Sequence, residues 1–508
     1  MIQIKIGIAI EIETRGHLNT ISLKMKKNSS SINTVSETTR QIEALFHPES
    51  VAIVGVPRGL KTGRLFLTAF QDQKFPGQIF PVNPNAEEID GLKAYPDILS
   101  IPAAVDLAIV LVPSRFTLSV IKDCVRKGVK GAVLFTAGYG ETGEEGRRRQ
   151  HEIVQVARSG GMRLIGPNGM GLYAPESGLS FFPELSRQSG NVGLVSHSGS
   201  LANILGRMAS RKGLYFSKAV SIGNECDLSC PDFINYFAQD ASTGVIGAYI
   251  EGIKDGPAFL SAIRNASMSK PVIIWKLGLT QAGSKAAASH TGALAGSAEI
   301  WAAVAKQTGI LSVSGFEAWL DALMAFSLLP DGIGRRMAII SGPGGLAVSA
   351  AEACSANGLS MAVLSADTRA TLAKLVPPTG TSTANPIDVG LSASLDIDIY
   401  IQAARTAARD PGVDAVVVIG IGLNQETNAQ YTDGMLNMQK TSEKPLVMVG
   451  IPGFDEDMAS RLCNSGAPFF DSSERAMRSY AMVCGYQEWR CRVREFEKAV
   501  SSHPGVVP

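Results

Sequence analysis

His290 stands in the run Ala286-Ala-Ala-Ser289-His290-Thr291-Gly292-Ala293-Leu294-Ala295-Gly296, where almost every neighbour is Ala, Gly, Ser or Thr. No bulky side chain there can bury the ring, so the imidazole is free to meet a ligand on a loop. Neutral imidazole is a good nucleophile near pH 7, and a phosphorylated imidazole hands its phosphoryl group onward readily. Taken alone, a single histidine is more often structural. Glu251 closes the apolar run that starts at Gly244, at the C-terminal strand edge where open α/β sheets place their ligands. A carboxylate there can accept the Nδ1 proton of His290 and fix its tautomer, leaving the other nitrogen to attack. The plain alternative is a strand-end charge meeting solvent. The two residues support each other only if the fold brings them together.

Ser196-His197-Ser198-Gly199-Ser200 follows a strand and precedes a helix expected over 201–210. Hydroxyls and free N–H groups at that helix start would cradle an anion such as a phosphoryl group on His290. His197 is a rival nucleophile. Ser198 is not a hydrolase elbow, because Ser196 and Ser200 stand where GxSxG needs glycine. A second glycine-rich turn comprises Gly55, Arg58, Gly59, Lys61, Thr62 and Gly63 and runs into a helix expected around 66–71. It suits a phosphate or pyrophosphate, although a simple βα turn reads the same way. Its spacing is not GxGxxG, and the second strand ends at Val82-Asn83-Pro84 with no acidic residue to hold a ribose. That argues against a nicotinamide dehydrogenase and leaves another phosphate-bearing nucleotide, such as CoA, open.

The elements that position these residues follow from the chain's length and rhythm. At 508 residues and 45% hydrophobic content, the chain exceeds what one core sustains, so two or three domains are expected. Lys+Arg 47 against Asp+Glu 46 leaves no global basic field for nucleic acid or an acidic membrane, so partners should be small molecules or proteins. The 52 glycines and 6% aromatics fit the many tight turns of α/β folds. Seven cysteines without a CxxC pair indicate neither a zinc site nor a disulfide framework, and a reducing cytosol is the expected home. No metal site is expected. No apolar run approaches the roughly 18–20 residues of a membrane span.

Residues 1–38, with an IQIKIGIAIEIE run and then Lys24, Lys26 and Lys27, lack a signal cleavage pattern. They are expected to form a poorly ordered extension, with Met25 an alternative start. Beyond it, short β-branched runs alternate with segments of helical period, the mark of parallel strands joined by crossover helices. A Rossmann-like unit over 39–185 has strands near 51–56, 78–83, 107–113, 131–138 and 163–168. A flavodoxin-like unit over 186–332 opens with the segment 191–200 and continues through strands near 219–225, 244–252 and 271–278, closed by helices from about 296 to 329. A second flavodoxin-like unit over 333–500 opens with the segment 336–345 and adds strands near 360–365, 414–422, 445–451 and 467–470. The second and third units open alike, over Val192–Leu205 and Met337–Ala351, either by duplication or by shared βα physics.

From about Leu45 to Tyr480 the chain resembles the nucleoside-diphosphate-forming acyl-CoA synthetases, the superfamily that includes the alpha subunit of succinyl-CoA synthetase and ADP-forming acetyl-CoA synthetases. The resemblance rests on Leu45-Phe-His-Pro-Glu-Ser-Val-Ala-Ile-Val-Gly55, Phe80-Pro-Val-Asn-Pro, Thr136-Ala-Gly-Tyr-Gly, Ile165-Gly-Pro-Asn168, Val195-Ser-His-Ser-Gly, Ser221-Ile-Gly-Asn224, Tyr249-Ile-Glu-Gly252, Ser341-Gly-Pro-Gly-Gly345 and Asn385-Pro-Ile-Asp388. The most specific block is Ala288-Ser-His290-Thr-Gly-Ala-Leu-Ala-Gly296.

The resemblance implies that His290 carries the phosphoryl group with Glu251 as its partner. Ser198, Gly199, Thr291 and Gly292 would hold the phosphate, and the Gly55–Gly63 loop, Asn83, Val112, Pro113, Ala137 and Asn168 would hold CoA. In the family scheme, ATP phosphorylates the histidine, a carboxylate takes the phosphate as an acyl phosphate, and the CoA thiol displaces inorganic phosphate. Gly169 stands where the family usually has Cys, which suggests extra room for a bulkier aryl or branched acid. The family's ATP-grasp domain finds no counterpart in the sequence. The resemblance therefore implies a separate ATP-grasp beta subunit carrying ATP and Mg2+, in an α2β2 assembly. A non-catalytic CoA-binding regulatory or scaffold protein on the same fold is the alternative, and it would bind CoA without phosphorylation.

Overall fold

A computed structural model describes residues 36–59, 61–285, 296–378, 380–390, 396–420, 424–451 and 456–502. His290, Thr291 and Gly292 lie outside the described residues, as does the expected extension up to residue 35.

The chain builds three parallel sheets in succession. After helix α1 (Glu37–Phe46), β1 (Ser50–Val54) pairs with β2 (Gln78–Val82), and helix α2 (Arg64–Asp72) crosses between them. A hairpin of β3 (Glu88–Ile89) and β4 (Leu92–Lys93) follows. Then β5 (Leu107–Val110), helix α3 (Ser114–Lys127), β6 (Gly131–Leu134), helix α4 (Glu144–Ser159) and β7 (Arg163–Ile165) complete the order β2-β1-β5-β6-β7. Every residue of β1, β5 and β6 is buried. Their unbroken apolar runs require that, because a parallel sheet is covered on both faces. A full dinucleotide fold adds a third strand beyond the second. Here the hairpin occupies that stretch of chain, and the sheet stops at β2.

The second sheet takes β8 (Gly171–Tyr173), β9 (Val192–Ser196), β10 (Phe216–Ser221), β11 (Val245–Ile250), β12 (Val272–Lys276) and β13 (Leu311–Val313) in the order β13-β12-β11-β9-β10-β8. All neighbours are parallel except β8, which runs antiparallel to β10. Helices α5 (Gly199–Arg211) and α6 (Cys230–Gln239) follow β9 and β10. The third sheet joins β14 (Arg336–Ser341), β15 (Ser360–Met361), β16 (Ile387–Asp388), β17 (Ala415–Ile419), β18 (Leu446–Val449) and β19 (Phe469–Phe470) in the order β15-β14-β17-β18-β19, with β16 also on β14. In both later sheets the first long strand lies between its two successors, β9 between β10 and β11 and β14 between β15 and β17, the flavodoxin-like arrangement that puts ligands at the carboxyl ends of the strands.

Buried ion pairs clamp the layers together. Asp227, whose side chain is fully buried, receives Arg163 Nε at 2.9 Å, Arg158 Nε at 2.7 Å and the Leu164 N–H at 2.8 Å. Alongside it, backbone N–H groups of Asn224, Cys226 and Leu228 donate to Pro167, Gly166 and Leu164, so the loop after β10 zips onto the end of the first sheet. Asp321, also fully buried, takes Arg475 Nε at 2.6 Å and ties the second layer to the long C-terminal helix Ser473–Ser502. Phe46 of α1 stacks on Tyr236 of α6 at 5.4 Å. No helix among the described residues is long and apolar enough to cross a membrane.

Candidate active site

The glycine-rich turn after β1 takes its shape from close backbone approach. Gly55 has φ +89°, and a Cβ there would lie 2.8 Å from Val112 Cγ1, so only glycine fits without strain. Asn83 braces the turn: its Nδ2 donates to the Val56 carbonyl at 2.8 Å and its Oδ1 accepts the Asn85 N–H at 2.9 Å. Arg64, which sequence reasoning did not single out, donates to the Pro57 carbonyl at 2.8 Å and pairs with Asp90. Arg58, Gly59, Lys61 and Thr62 are exposed on this turn.

A cavity of about 540 Å³ opens at the carboxyl edge of the first sheet, between it and α5. Pro113, Ala137 and Asn168, all anticipated from sequence, line it with Thr136, Gly199 and Ser200. Pro113 caps α3, and Asn168 sits at φ +58°. Gly169 is also in the wall, but it does not make the cavity larger: a Cβ there would meet the Ser221 carbonyl oxygen at 2.7 Å. The space expected to be vacant is filled by the end of β10.

Across α5 lies a second cavity of about 570 Å³, lined by Ser198, Tyr249, Glu251, Trp275, Lys276 and Gly283 among others. Ser198 is the N-cap of α5, and its Oγ accepts the Leu201 N–H at 3.3 Å. Ser198 therefore faces this cavity while Gly199 and Ser200 face the first, and one helix N-terminus serves both. Residues 281–285 are helical on the wall of the second cavity, where Ser284 Oγ donates to the Gly278 carbonyl at 2.7 Å. On the far side of the undescribed stretch, Gly296 lies against Leu279, another lining residue. The described residues on both sides of His290 thus border the cavity that holds Glu251.

Glu251 is 5% exposed at the end of β11. Burial pushes the Tyr249 phenol up, and the Glu251 carboxylate beside it pushes it further. Burial lowers the Lys276 ammonium, and Glu251 partly restores it. Lys276 Nζ also donates to the Glu251 carbonyl at 3.0 Å. Tyr249 and Lys276 escaped sequence reasoning, because an inward tyrosine and lysine on apolar strands read as ordinary alternation.

His197 is not available as a nucleophile. It is 7% exposed, its Nδ1 accepts the Glu251 backbone N–H at 3.0 Å, and its Nε2 lies 2.5 Å from Glu225 Oε1. Burial would raise the Glu225 carboxyl, but His197, the Cys230 N–H and Lys254 hold it below its ordinary value. Among the described residues, no group of His, Cys, Asp and Glu is arranged to hold a metal ion.

Comparison with known proteins places this geometry. Residues 49–175 match the CoA binding domain, residues 189–326 the Succinyl-CoA ligase like flavodoxin domain, and residues 337–451 the Ligase-CoA domain. The chain is 35% identical over 451 residues to the alpha subunit of acetate–CoA ligase [ADP-forming] II of Pyrococcus furiosus, covering 87% of this chain and 97% of that subunit. It is 33% identical to acetate–CoA ligase [ADP-forming] I of Archaeoglobus fulgidus, but spans only 65% of that longer protein. Among solved structures it is similar to a chain of the Ca. Korarchaeum cryptofilum dinucleotide forming acetyl-coenzyme A synthetase 1 in complex with phosphate and ADP. That match has a TM-score of 0.80, 33% identity, and coverage of 89% of this chain and 98% of the other. With all three sheets matched in order and an alpha subunit aligned along nearly its whole length, the chain belongs to the nucleoside-diphosphate-forming acyl-CoA ligase family, on the alpha-subunit side.

Proposed function

We propose that this chain is the CoA-binding, phosphohistidine-bearing subunit of an ADP-forming acid–CoA ligase. The observation that carries the reading is the shared N-terminus of α5: Ser198 lines the cavity with Glu251, and Gly199 and Ser200 line the cavity of the CoA-binding layer. A phosphoryl group carried into the cavity of Glu251 and a thiol brought through the cavity of the CoA-binding layer would meet there.

In this reading the γ-phosphoryl of ATP moves to His290 and ADP leaves. Glu251 accepts a hydrogen bond from the N–H of the opposite ring nitrogen and steadies the cation that forms. The phosphoryl oxygens lie against the free N–H groups of α5, whose dipole contributes about 0.3–1 kcal/mol, up to ~2 in partly buried sites. A carboxylate oxygen of the acid then attacks phosphorus and frees His290. The CoA sulfur, having lost its proton, attacks the acyl carbon, and inorganic phosphate leaves.

Gly55, Arg58, Gly59, Lys61, Thr62 and Gly63 would hold the CoA phosphates, with Asn83 bracing that turn. Val112, Pro113, Ala137 and Asn168 would guide the pantetheine arm, and Thr291 and Gly292 would complete the phosphate cradle. ATP and its Mg2+ belong to a separate ATP-grasp subunit, most simply in an α2β2 assembly in the cytoplasm. The similar Pyrococcus furiosus protein, named as an alpha subunit, supports this reading.

The test runs the later half-reactions backward. The purified chain is incubated with inorganic phosphate and a series of acyl-CoA thioesters, and its intact mass is measured. An acid-labile phosphoryl adduct that disappears in His290→Ala is expected. Absence of the adduct with every thioester, also after addition of a matched ATP-grasp subunit, would overturn the reading.

A further inference from the structure

A third cavity, of about 160 Å³, opens beside the 540 Å³ one, and Met170 and Ser200 belong to the walls of both. Its other walls are Leu65 and Phe66 from the first turns of α2, Phe182, Asn203 and the exposed Thr62. No charged side chain lines it, and of the turn proposed to hold the CoA phosphates it takes only Thr62. Four apolar side chains enclose a space close to the roughly 150 Å³ that takes a benzene ring in an apolar protein interior. The back wall is rigid: Phe66 is 1% exposed and meets Phe135 edge-on at 5.1 Å and 70°.

Met170 divides the two cavities. Its backbone N–H donates to Ser221 Oγ at 3.0 Å, and its side chain lies so close to the start of α5 that a Cβ on Gly199 would stand 2.1 Å from Met170 Cγ. The backbone is therefore fixed, whereas the thioether is unbranched and adapts to what it touches. A group leaving the larger cavity at Ser200 turns past Met170 into the smaller one. Asn203 adds a buried amide oxygen that has no hydrogen-bond partner among the described residues.

We propose that this cavity is the acyl pocket, and that the acid it selects carries an apolar tail of ring or branched-chain size, with Met170 and Leu65 setting that size. The inference rests on the ligase reading: the thioester carbon must lie near Gly199 and Ser200, and this is the apolar space that opens from there. Selectivity for bulk thus comes from the wall between α2 and α5 rather than from Gly169.

Direct binding to the full chain tests it without a partner subunit. Affinities for CoA, acetyl-CoA and phenylacetyl-CoA are measured by calorimetry on the wild type, Leu65→Trp, which fills the cavity, and Met170→Ala, which enlarges it. The wild type should bind phenylacetyl-CoA at least about tenfold more tightly than acetyl-CoA, since burying most of a ring exceeds the ~1.4 kcal/mol that tenfold represents. Leu65→Trp should erase that difference while affinity for CoA itself stays within about twofold. Met170→Ala should also change the ratio of the two thioester affinities, a readout that does not depend on the fold of the Leu65 variant. If CoA binds but both thioesters bind equally, or both variants keep the wild-type ratio, the acyl pocket is wrong and the ligase reading stands. If CoA does not bind at all, the ligase reading falls and takes the pocket with it.

Discussion

His197 accepts the backbone N–H of Glu251 at Nδ1, 3.0 Å away, and turns Nε2 toward Glu225 at 2.5 Å. One buried ring thereby joins the turn after β9, the end of β11 and the loop after β10. A glutamine can supply the same acceptor and donor, whereas an alanine takes this acceptor from the Glu251 N–H and leaves Glu225 only the Cys230 N–H and Lys254, at about 1–3 kcal/mol for each lost hydrogen bond. His197→Gln should therefore keep most phosphohistidine formation, and His197→Ala should slow it at least about tenfold with CoA affinity intact. The two variants are compared by the rate of intact-mass gain and by calorimetry with CoA. Equal rates in Gln and Ala would show that the ring does not position Glu251.

Asp227 predicts how the first two layers respond to acid. Burial raises its carboxyl, but the two arginines and the Leu164 N–H overcome that and hold it below its ordinary value. A carboxyl depressed in the folded state stabilises fully above its unfolded value of about 3.9 and loses that contribution as pH falls through the folded value. Asp227→Ala should cost about 3–5 kcal/mol at pH 7, because it leaves the largely buried Arg163 guanidinium without its carboxylate, with only the Gln41 amide oxygen to receive it. Thermal midpoints of wild type and variant, taken from pH 7 downward, should converge only below about pH 4. A constant gap down to pH 3 would mean the loss is one of packing.

Much of this was legible in the chain. Strands such as Leu107–Val110 and Ala415–Ile419 announce themselves because a sheet covered on both faces demands unbroken apolar runs. Among the missed strands, Gly171–Tyr173 and Leu311–Val313 have three residues each and lie at sheet edges, and Glu88–Ile89, Leu92–Lys93 and Ile387–Asp388 have two, too short for any period to register. For the site, the turn residues were legible because glycine and N-cap serine have local reasons to stand where they do. The His197–Glu225 and Asp227–Arg163 pairs, 28 and 64 residues apart, were not, since only the folded chain brings them together. Gly169 misled for the same reason: its missing side chain is filled by a carbonyl from another strand.

Gly55 makes a test of the CoA turn that does not involve charge. An alanine there must adopt φ +89° and place its Cβ 2.8 Å from Val112 Cγ1. Backbone strain of this kind costs about 1–3 kcal/mol. Gly55→Ala should lower the thermal midpoint and weaken CoA binding at least about tenfold, while Gly59→Ala, whose Cβ would meet nothing within 4 Å, should spare stability. Calorimetry and thermal unfolding of both variants check this. Equal effects of the two substitutions would remove the special geometry of Gly55 from the argument.

Glu251→Gln separates the phosphoryl-transfer cavity from the CoA cavity. In the proposed chemistry the carboxylate acts only on His290, so phosphohistidine formation should fall about a hundredfold or more, and CoA affinity should hold. Conversion of an acyl phosphate and CoA to acyl-CoA, which does not pass through the histidine, should also persist. Tyr249 supplies a readout independent of activity. Its phenol is pushed up by burial and then by the Glu251 carboxylate, so removing that charge should bring phenolate absorbance on at lower pH in the variant than in the wild type. A variant whose phenolate shifts but whose phosphorylation rate is unchanged would leave Glu251 a neighbour of Tyr249 and nothing more. One that loses phosphorylation and acyl-phosphate conversion together would place the carboxylate in both steps, against the division of labour across α5.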